Sequence, residues 1–216
     1  MRTILQTVPS PSAPLLALLP GTYSAPEDFV REGFPAAVRD QGIDAELVMA
    51  EMRASWFADG TIIDRIRDAV IEPARARGRT RIWLVGVSLG GLAALSYAAR
   101  HARDIEGILL ISPYPATRPV LREMQHAGGI KQWKPMILPE GDLEREAWWW
   151  LARYGDRDDP PVHGYFASND RFASGQRQMA QALAAGRVHE VEGGHDWAAW
   201  RALWMEFLCS NKSALQ

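Results

Sequence analysis

The chain has 216 residues, of which 47% are hydrophobic and 23% charged, and its formal net charge is −2. These values are typical of a soluble globular protein, and the length predicts a single domain over residues 1–216 with a full core. Because both signs of charge are scattered and no basic stripe occurs, we expect no nucleic-acid partner.

The cysteine content and the apolar runs exclude other classes. The single cysteine, Cys209, cannot form an internal disulfide, and no Cys/His spacing typical of a metal site occurs. The run Leu15–Leu19 is too short for a membrane span. The prolines before it, and the lack of a small-residue cleavage site after it, argue against a signal peptide. We therefore expect a cytoplasmic protein without a membrane-spanning segment.

In chain order, short apolar runs alternate with helical patterns. Residues 1–14 contain three prolines and predict an extended lead-in with a short edge strand over Thr3–Val8. Helices are predicted over Pro26–Gln41 with a break at Gly33-Phe34-Pro35, over Thr61–Arg77, after Gly91, over Gln176–Ala185 and over Asp196–Leu208. Strands are predicted over Leu15–Leu19, Ile43–Met49, Ile82–Val87, Ile105–Ile111, Val162–Ala167 and Arg187–Val191. This alternation predicts an α/β fold with a predominantly parallel, doubly wound sheet.

Residues 116–158 interrupt the alternation with several prolines, a Gly pair and the run Trp148-Trp149-Trp150. We predict a small, mostly helical insertion rather than a second domain. Trp148 and Trp149 are candidates for the wall of an apolar substrate pocket. Packing within the insertion is the alternative, and the sequence leaves both open. The three tryptophans of the last predicted helix are interpreted as core residues that pack on the sheet.

The stretch Gly86-Val87-Ser88-Leu89-Gly90 lies between a strand buried on both faces and a helix with a small apolar face. Strand, tight glycine-flanked turn and helix, with serine at the apex, form the context of a nucleophile elbow. Gly86 and Gly90 are expected because the strand and the helix pass so closely that a Cβ would clash. The alternative is an ordinary loop in which Ser88 is an N-cap.

Two further polar residues follow predicted strands at their carboxyl ends, where the functional groups of an open α/β sheet meet. Asp170 follows the strand Val162–Ala167, although a plain turn would also use an aspartate. The competing acids, Asp156, Asp158 and Asp159, precede that strand. His195 lies in a glycine-rich loop after Arg187–Val191. The other four histidines lie in predicted strands, at a helix end or in the insertion.

Acyl transfer to a serine also requires donors for the developing oxyanion. The backbone N–H of Leu89 is one candidate, because it directly follows Ser88 at a helix start. The loop after Leu15–Leu19 should supply the other, and we assign it to the Thr22 N–H, with Tyr23 able to reach the site through its hydroxyl.

These motifs resemble the α/β-hydrolase superfamily over Leu15–Leu208. The motifs are LLALLPGT, GVSLGG, FASNDRF and VEGGHDWAAW, and Ser88, Asp170 and His195 occur in the family's chain order. The oxyanion loop has Pro-Gly where many members have His-Gly, and the short N-terminus leaves room for few antiparallel strands. The resemblance places the insertion at residues 116–158 in the position of the family's variable cap.

The resemblance implies a serine hydrolase that cleaves an ester or thioester of a small-to-medium acyl group. Ser88 would be the nucleophile, His195 the base and Asp170 the residue that orients the imidazole. This chemistry needs no metal and no cofactor, and its partner is a small-molecule acyl ester. A non-catalytic ligand-binding protein and an acyltransferase remain alternatives. An exposed tryptophan-rich insertion could also form a homodimer surface.

Overall fold

One mixed sheet forms the centre of the molecule. The computed structural model describes residues 1–8, 10, 12–155 and 159–216. Within these residues, seven strands lie in the order β1-β3-β2-β4-β5-β6-β7. They are β1 (Thr3–Gln6), β2 (Leu15–Leu19), β3 (Glu46–Ala50), β4 (Ile82–Val87), β5 (Gly107–Ile111), β6 (Val162–Ala167) and β7 (Val188–Val191). Only the pairing of β1 with β3 is antiparallel, so the predicted α/β class with a predominantly parallel sheet is confirmed.

Helices cover both faces of this sheet. They are α1 (Pro26–Arg31), α2 (Phe34–Asp40), α3 (Ser55–Ala58), α4 (Ile62–Ile66), α5 (Glu72–Ala76), α6 (Leu89–His101), α7 (Arg118–His126), α8 (Leu143–Ala152), α9 (Ala173–Ala180) and α10 (Trp197–Ser210). Side chains of β2 alternate: Leu16 and Leu18 face a core formed with α1, α2 and α10. Leu15 and Leu19 face a second core, which α4 to α8 complete. The doubly wound arrangement follows from this alternation.

Local sequence explains two irregularities in the predicted helices. The predicted helix Pro26–Gln41 divides into α1 and α2, as the Gly33-Phe34-Pro35 break indicates, and Gly33 adopts a φ of 79°. The predicted helix Thr61–Arg77 contains a π turn over Arg67–Ile71, between α4 and α5. Pro73 lies two residues after the end of that turn. Because proline has no N–H to donate, the regular hydrogen-bond ladder cannot continue through it unchanged.

The insertion at residues 116–158 contributes α7 and α8 to the second core rather than a separate layer. Helix α8 packs along α6, the helix that follows the serine turn. Trp148 is buried there, and its indole N–H donates to the Pro115 carbonyl at 2.7 Å. Residues 156–158, with the competing acids Asp156 and Asp158, lie outside the described residues, as do Pro9 and Pro11 of the lead-in. No helix within the described ranges combines the length and apolar character needed to cross a membrane.

Candidate active site

Ser88 occupies a strained turn between β4 and α6. Its φ of 52° and ψ of −116° lie in a region that side-chain-bearing residues rarely adopt. Three backbone hydrogen bonds hold this geometry. The Ser88 N–H donates to the Ile111 carbonyl at 3.1 Å, and the Ser88 carbonyl accepts from the N–H groups of Gly91 at 2.9 Å and Tyr114 at 2.8 Å. Backbone strain that neighbouring segments enforce in this way is typical of functional turns.

The glycines around the turn allow three segments of backbone to pass each other. A Cβ on Gly86 would collide with the Gly90 carbonyl, and a Cβ on Gly90 would collide with the Leu19 carbonyl. The steric reason for these glycines is therefore confirmed. Gly21, in the loop after β2, is also close, because a Cβ there would lie 3.1 Å from the Cβ of Ser88. The loop that follows β2 thus passes directly beside the serine.

The structure brings Ser88, His195 and Asp170 into one hydrogen-bonded chain. The distance from His195 Nε2 to Ser88 Oγ is 2.9 Å, and His195 Nδ1 lies 2.7 Å from Asp170 Oδ2. The side chains of His195 and Asp170 are 8% and 0% exposed. Because a carboxylate only accepts, the proton belongs on Nδ1, and Nε2 is left to accept from the serine hydroxyl. Asp159, by contrast, precedes β6 and lies at the other end of that strand.

Asp170 is surrounded by donors although it is buried. Burial raises the pKa of its carboxyl group. Hydrogen bonds from His195, from the Phe172 N–H at 2.7 Å and from Gln176 Nε2 at 3.0 Å outweigh that effect, so the pKa lies below its usual value. Asp170 is therefore a carboxylate at neutral pH.

Gln176 is a site residue that the sequence did not reveal. It is fully buried in α9, and its amide nitrogen donates both to Asp170 and to the Pro113 carbonyl at 3.1 Å. It stands at the first position of the helix predicted over Gln176–Ala185, where a polar residue is unremarkable. One feature of the sequence could have indicated it. Gln176 follows the candidate acid by six residues, and this distance corresponds to little more than one and a half turns of helix.

Two aromatic rings enclose the imidazole of His195. Phe172 meets it at a centroid distance of 5.0 Å and Trp200 at 5.1 Å, both nearly perpendicular. Edge-to-face contacts of this kind restrict the rotation of a ring. Trp200 was interpreted as a core residue. It is buried in the core and also contacts the candidate base. Helical spacing alone could not distinguish a tryptophan that only packs in the core from one that also contacts the site.

The two backbone N–H groups predicted as oxyanion donors, those of Leu89 and Thr22, are without an acceptor among the described residues. Leu89 begins α6, so its N–H is one of the free donors of a helix start. Both residues line the cavity that contains Ser88. Tyr23 lines it as well, with a φ of 67° and a fully exposed side chain.

The central cavity over Ser88 has a volume of about 450 Å³. Its lining includes Thr22, Ser88, Leu89, Tyr114, His195 and Trp200. Two smaller cavities adjoin it and share Tyr114 with it. One, the apolar side cavity of about 350 Å³, has Phe57 and Leu92 in its wall. The other, the basic side cavity of about 320 Å³, has Arg118 and Arg171 in its wall.

Trp148 and Trp149, which were predicted as walls of an apolar substrate pocket, border none of these three cavities. Trp148 is buried against α6 and the Pro115 carbonyl. Trp149 packs edge-to-face on Trp133 at 6.4 Å and under the guanidinium of Arg153 at 4.8 Å. Packing within the insertion, the alternative reading, explains both. The insertion does not cover Ser88 as a cap, since it contributes no residue to the central cavity and borders only the side cavities.

Within the part of the chain that the structure describes, no group of three His, Cys, Asp or Glu side chains is placed to hold a metal ion.

Solved structures that align with this chain include esterases and other hydrolases. An S-formylglutathione hydrolase (FrmB) of Staphylococcus aureus aligns with a TM-score of 0.66 and 13% identity over 92% of this chain and 81% of its own. FphF, a fluorophosphonate-binding serine hydrolase of the same species, aligns with a TM-score of 0.66 and 15% identity over 94% of this chain and 98% of its own. Est1E from Butyrivibrio proteoclasticus aligns with a TM-score of 0.62 and 17% identity over 97% of this chain and 94% of its own. At these identities the likeness shows the α/β-hydrolase fold.

The sequence itself carries the family assignment. No curated protein matches the chain. A family model, named Esterase and described as "Putative esterase", matches residues 61–208, which contain the serine turn, the candidate acid and the candidate base. This match covers more than half of the chain. The chain therefore belongs to the esterase family and is an α/β-hydrolase that acts on esters.

Proposed function

We propose that the protein is a serine esterase in which Ser88, His195 and Asp170 form the catalytic triad. The observation that carries the proposal is the unbroken hydrogen-bonded chain from Ser88 Oγ through the imidazole to Asp170, at the floor of the central cavity. A serine hydroxyl is a weak nucleophile unless a base lies within hydrogen-bond reach and a third group orients that base. Both conditions are met here, and the three side chains are nearly inaccessible to solvent.

Acylation begins when Ser88 Oγ attacks the ester carbonyl while its proton moves to His195 Nε2. The carbonyl electron pair moves onto oxygen, and the N–H groups of Leu89 and Thr22 stabilise that negative charge. The carbonyl then reforms as the bond to the leaving oxygen breaks, and the imidazolium returns its proton to that oxygen. Asp170 stabilises the imidazolium throughout and remains ionised.

Deacylation repeats these steps with water as the nucleophile. His195 removes a proton from water, the hydroxide adds to the acyl carbon, and Ser88 Oγ leaves with the proton that His195 held. The products are a carboxylic acid and an alcohol, and the enzyme returns to its starting protonation. Each step uses groups that this chain provides, so the reaction proceeds through an acyl-enzyme on Ser88.

The acyl group is assigned to the apolar side cavity. Leu89 lies in the wall of both this cavity and the central cavity, so the space continues from the nucleophile past Phe57 and Leu92. Apolar walls stabilise a hydrocarbon chain by removing it from water. A volume of about 350 Å³ fits an acyl group of small to medium length. Substrates with such acyl groups, as esters or thioesters, are therefore the proposed class.

The test is the Ser88→Ala variant. It removes the nucleophile, and we expect kcat for p-nitrophenyl butyrate to fall by about a thousandfold or more. Covalent labelling by a fluorophosphonate probe should disappear, because the probe reacts with an activated serine. Peptide mapping by mass spectrometry of the labelled and digested wild-type protein should place the adduct on the peptide that contains Ser88.

Ser96→Ala is the matched control. Ser96 lies in the same helix, α6, and its hydroxyl donates to the Leu143 carbonyl at 3.3 Å, away from the central cavity. This variant should hydrolyse the ester and react with the probe like the wild type. Retention of both activities in Ser88→Ala would contradict the proposed function.

A further inference from the structure

We propose that the basic side cavity is a subsite for an anionic group on the leaving alcohol or thiol of the substrate, with Arg118 and Arg171 as the residues that bind it. The proposal rests on the esterase function described above and adds the chemical class of its leaving group: a carboxylate- or phosphate-bearing alcohol or thiol. Arg118 begins α7, and Arg171 directly follows Asp170.

The basic side cavity is an extension of the central cavity. Tyr114, Arg171 and Phe172 line both, so a substrate bound at Ser88 can reach from one into the other. The remaining wall combines Arg118 with small or apolar residues such as Pro115 and Leu121. Two of the nine residues that line this cavity are therefore arginines, and none of the nine carries a carboxylate. Guanidinium groups are suited to bind carboxylate and phosphate, because their paired N–H donors match two oxygens.

Neither arginine is neutralised by the protein. Among the described residues, no carboxylate lies within ion-pair distance of Arg118 or Arg171. Two other arginines of the same helical layer are paired: Arg100 with Glu146 at 2.7 Å, and Arg145 with Glu123. The adjacent Glu144 borders the apolar side cavity instead, where its Oε2 accepts from the Thr117 N–H at 3.0 Å and hydroxyl at 2.7 Å. The basic side cavity therefore keeps an uncompensated positive charge.

Ring contacts place this charge on the leaving-group side of Ser88. The leaving oxygen must lie beside His195 Nε2, which returns the proton to it. Phe172 packs on the imidazole at 5.0 Å, and the guanidinium of Arg171 lies over the Phe172 ring at 4.8 Å. Arg171 is therefore separated from the imidazole only by the Phe172 ring. The apolar side cavity, by contrast, is reached past Leu89, whose N–H is one of the two proposed oxyanion donors.

Two pairs of ester substrates distinguish the effect of a negative charge on kcat/KM from the effect of molecular shape. The first pair is meta-carboxyphenyl butyrate and meta-carbamoylphenyl butyrate, which differ by a charge on the leaving group. The second is monophenyl glutarate and phenyl pentanoate, which differ by a charge on the acyl group. We expect the wild-type kcat/KM to be about tenfold higher for the carboxylate than for the carboxamide of the first pair, as for charge-assisted hydrogen bonds. The preference should decrease as ionic strength rises.

The double variant Arg118→Gln/Arg171→Gln should reduce this preference to about one, with the change mainly in KM. Arg39→Gln is the matched control, since Arg39 is an exposed arginine of α2 on the opposite face of the sheet, and it should retain the wild-type preference. A preference that is unchanged in the double variant, absent in the wild type, or present only in the glutarate pair would overturn the subsite. Hydrolysis of none of the four esters by the wild type would overturn the proposed function, and the subsite with it.

Discussion

At the scale of single residues, Gln176 connects the candidate acid to the loop after β5. Its amide nitrogen donates to Asp170 Oδ2 and to the Pro113 carbonyl, while its own Oε1 is buried without a partner among the described residues. A buried polar atom without a hydrogen bond costs about 1–3 kcal/mol. A residue that retains such an atom while it orients a carboxylate is better explained by positioning of Asp170 than by stability.

The Gln176→Leu variant tests this positioning role. Leucine removes the donor and the unpaired oxygen together, so the midpoint of urea unfolding should change little. We expect kcat for p-nitrophenyl butyrate to fall about tenfold with a nearly unchanged KM, because Gln176 is fully buried and lines none of the three cavities around Ser88. The hydrogen bond from Gln176 lowers the pKa of Asp170. Its loss should raise that pKa, and the acid limb of the pH–rate profile should move to higher pH.

Gln178→Leu is the control for this experiment. Gln178 lies two residues further along α9, and its Oε1 is also buried without a partner. The same substitution there should leave kcat and the pH profile unchanged. Equal losses of kcat in the two variants, or an unmoved acid limb in Gln176→Leu, would show that Gln176 acts on α9 rather than on Asp170.

At the scale of elements, periodicity located most strands and helices, and packing determined what it missed. Val162–Ala167 and Ile82–Val87 were predicted to the residue, because runs buried on both faces have sharp ends. The strands predicted from Ile43 and Ile105 begin later, at Glu46 and Gly107, since both isoleucines are buried in the preceding loops. The hydrophobic character of these two residues therefore indicates that they are buried, but not that they pair with a neighbouring strand.

The insertion shows what composition alone leaves open. Trp148 and Trp149 have the composition of a ligand pocket, but α8 lies along α6 and uses them for packing. The local sequence does not determine against which helix a tryptophan packs, because that depends on the tertiary structure. The same limit applies to Arg118 and Arg171, which meet at one cavity although a whole strand and two helices separate them along the chain.

The crossing of β2, β4 and α6 gives a prediction at this scale. A Cβ on Gly90 would meet the carbonyl of Leu19, and backbone cannot yield as a flexible side chain can. We expect Gly90→Ala to destabilise the protein by about 1–3 kcal/mol, measured by urea unfolding, and to reduce esterase activity through displacement of Ser88.

Gly186→Ala is the matched substitution, because a Cβ there would contact nothing within 4 Å. It should be neutral or slightly stabilising, since alanine restricts the unfolded chain. If both variants unfolded at the wild-type denaturant concentration, the close crossing at Gly90 would not hold in solution.

At the scale of the whole molecule, the order of the strands assembles the site. Parallel pairing from β2 to β7 places the carboxyl ends of β2, β4, β5, β6 and β7 along one edge. The loops that follow β4, β6 and β7 carry Ser88, Asp170 and His195, and this edge brings them within hydrogen-bond distance. Sequence reasoning predicted the edge from the alternation of elements, but not the strand order, which depends on long-range pairing.

The same sheet buries an ionisable group that should govern the acid stability of the whole fold. His163, in β6, is packed between Trp83 and Phe207 at ring distances of 5.8 and 5.6 Å, and its Nδ1 has no partner among the described residues. Burial, with a smaller effect of Arg187 and His189, lowers its pKa to about 4. The unfolded chain binds this proton near pH 6.5, so between about 6.5 and 4 the unfolded state holds more protons than the folded state.

The free energy of unfolding should therefore fall as the pH decreases from about 6.5 to 4, by at most about 1.4 kcal/mol per pH unit from this group. Urea unfolding at a series of pH values measures it. His163→Phe keeps the ring contacts and removes the titration, so its curve should be flatter in this window, whereas the exposed His126→Gln should follow the wild type. The contribution of Asp170, whose pKa is lowered, is lost only at still lower pH, which separates the two groups. An unchanged slope in His163→Phe would mean that the imidazole is hydrated in the folded protein.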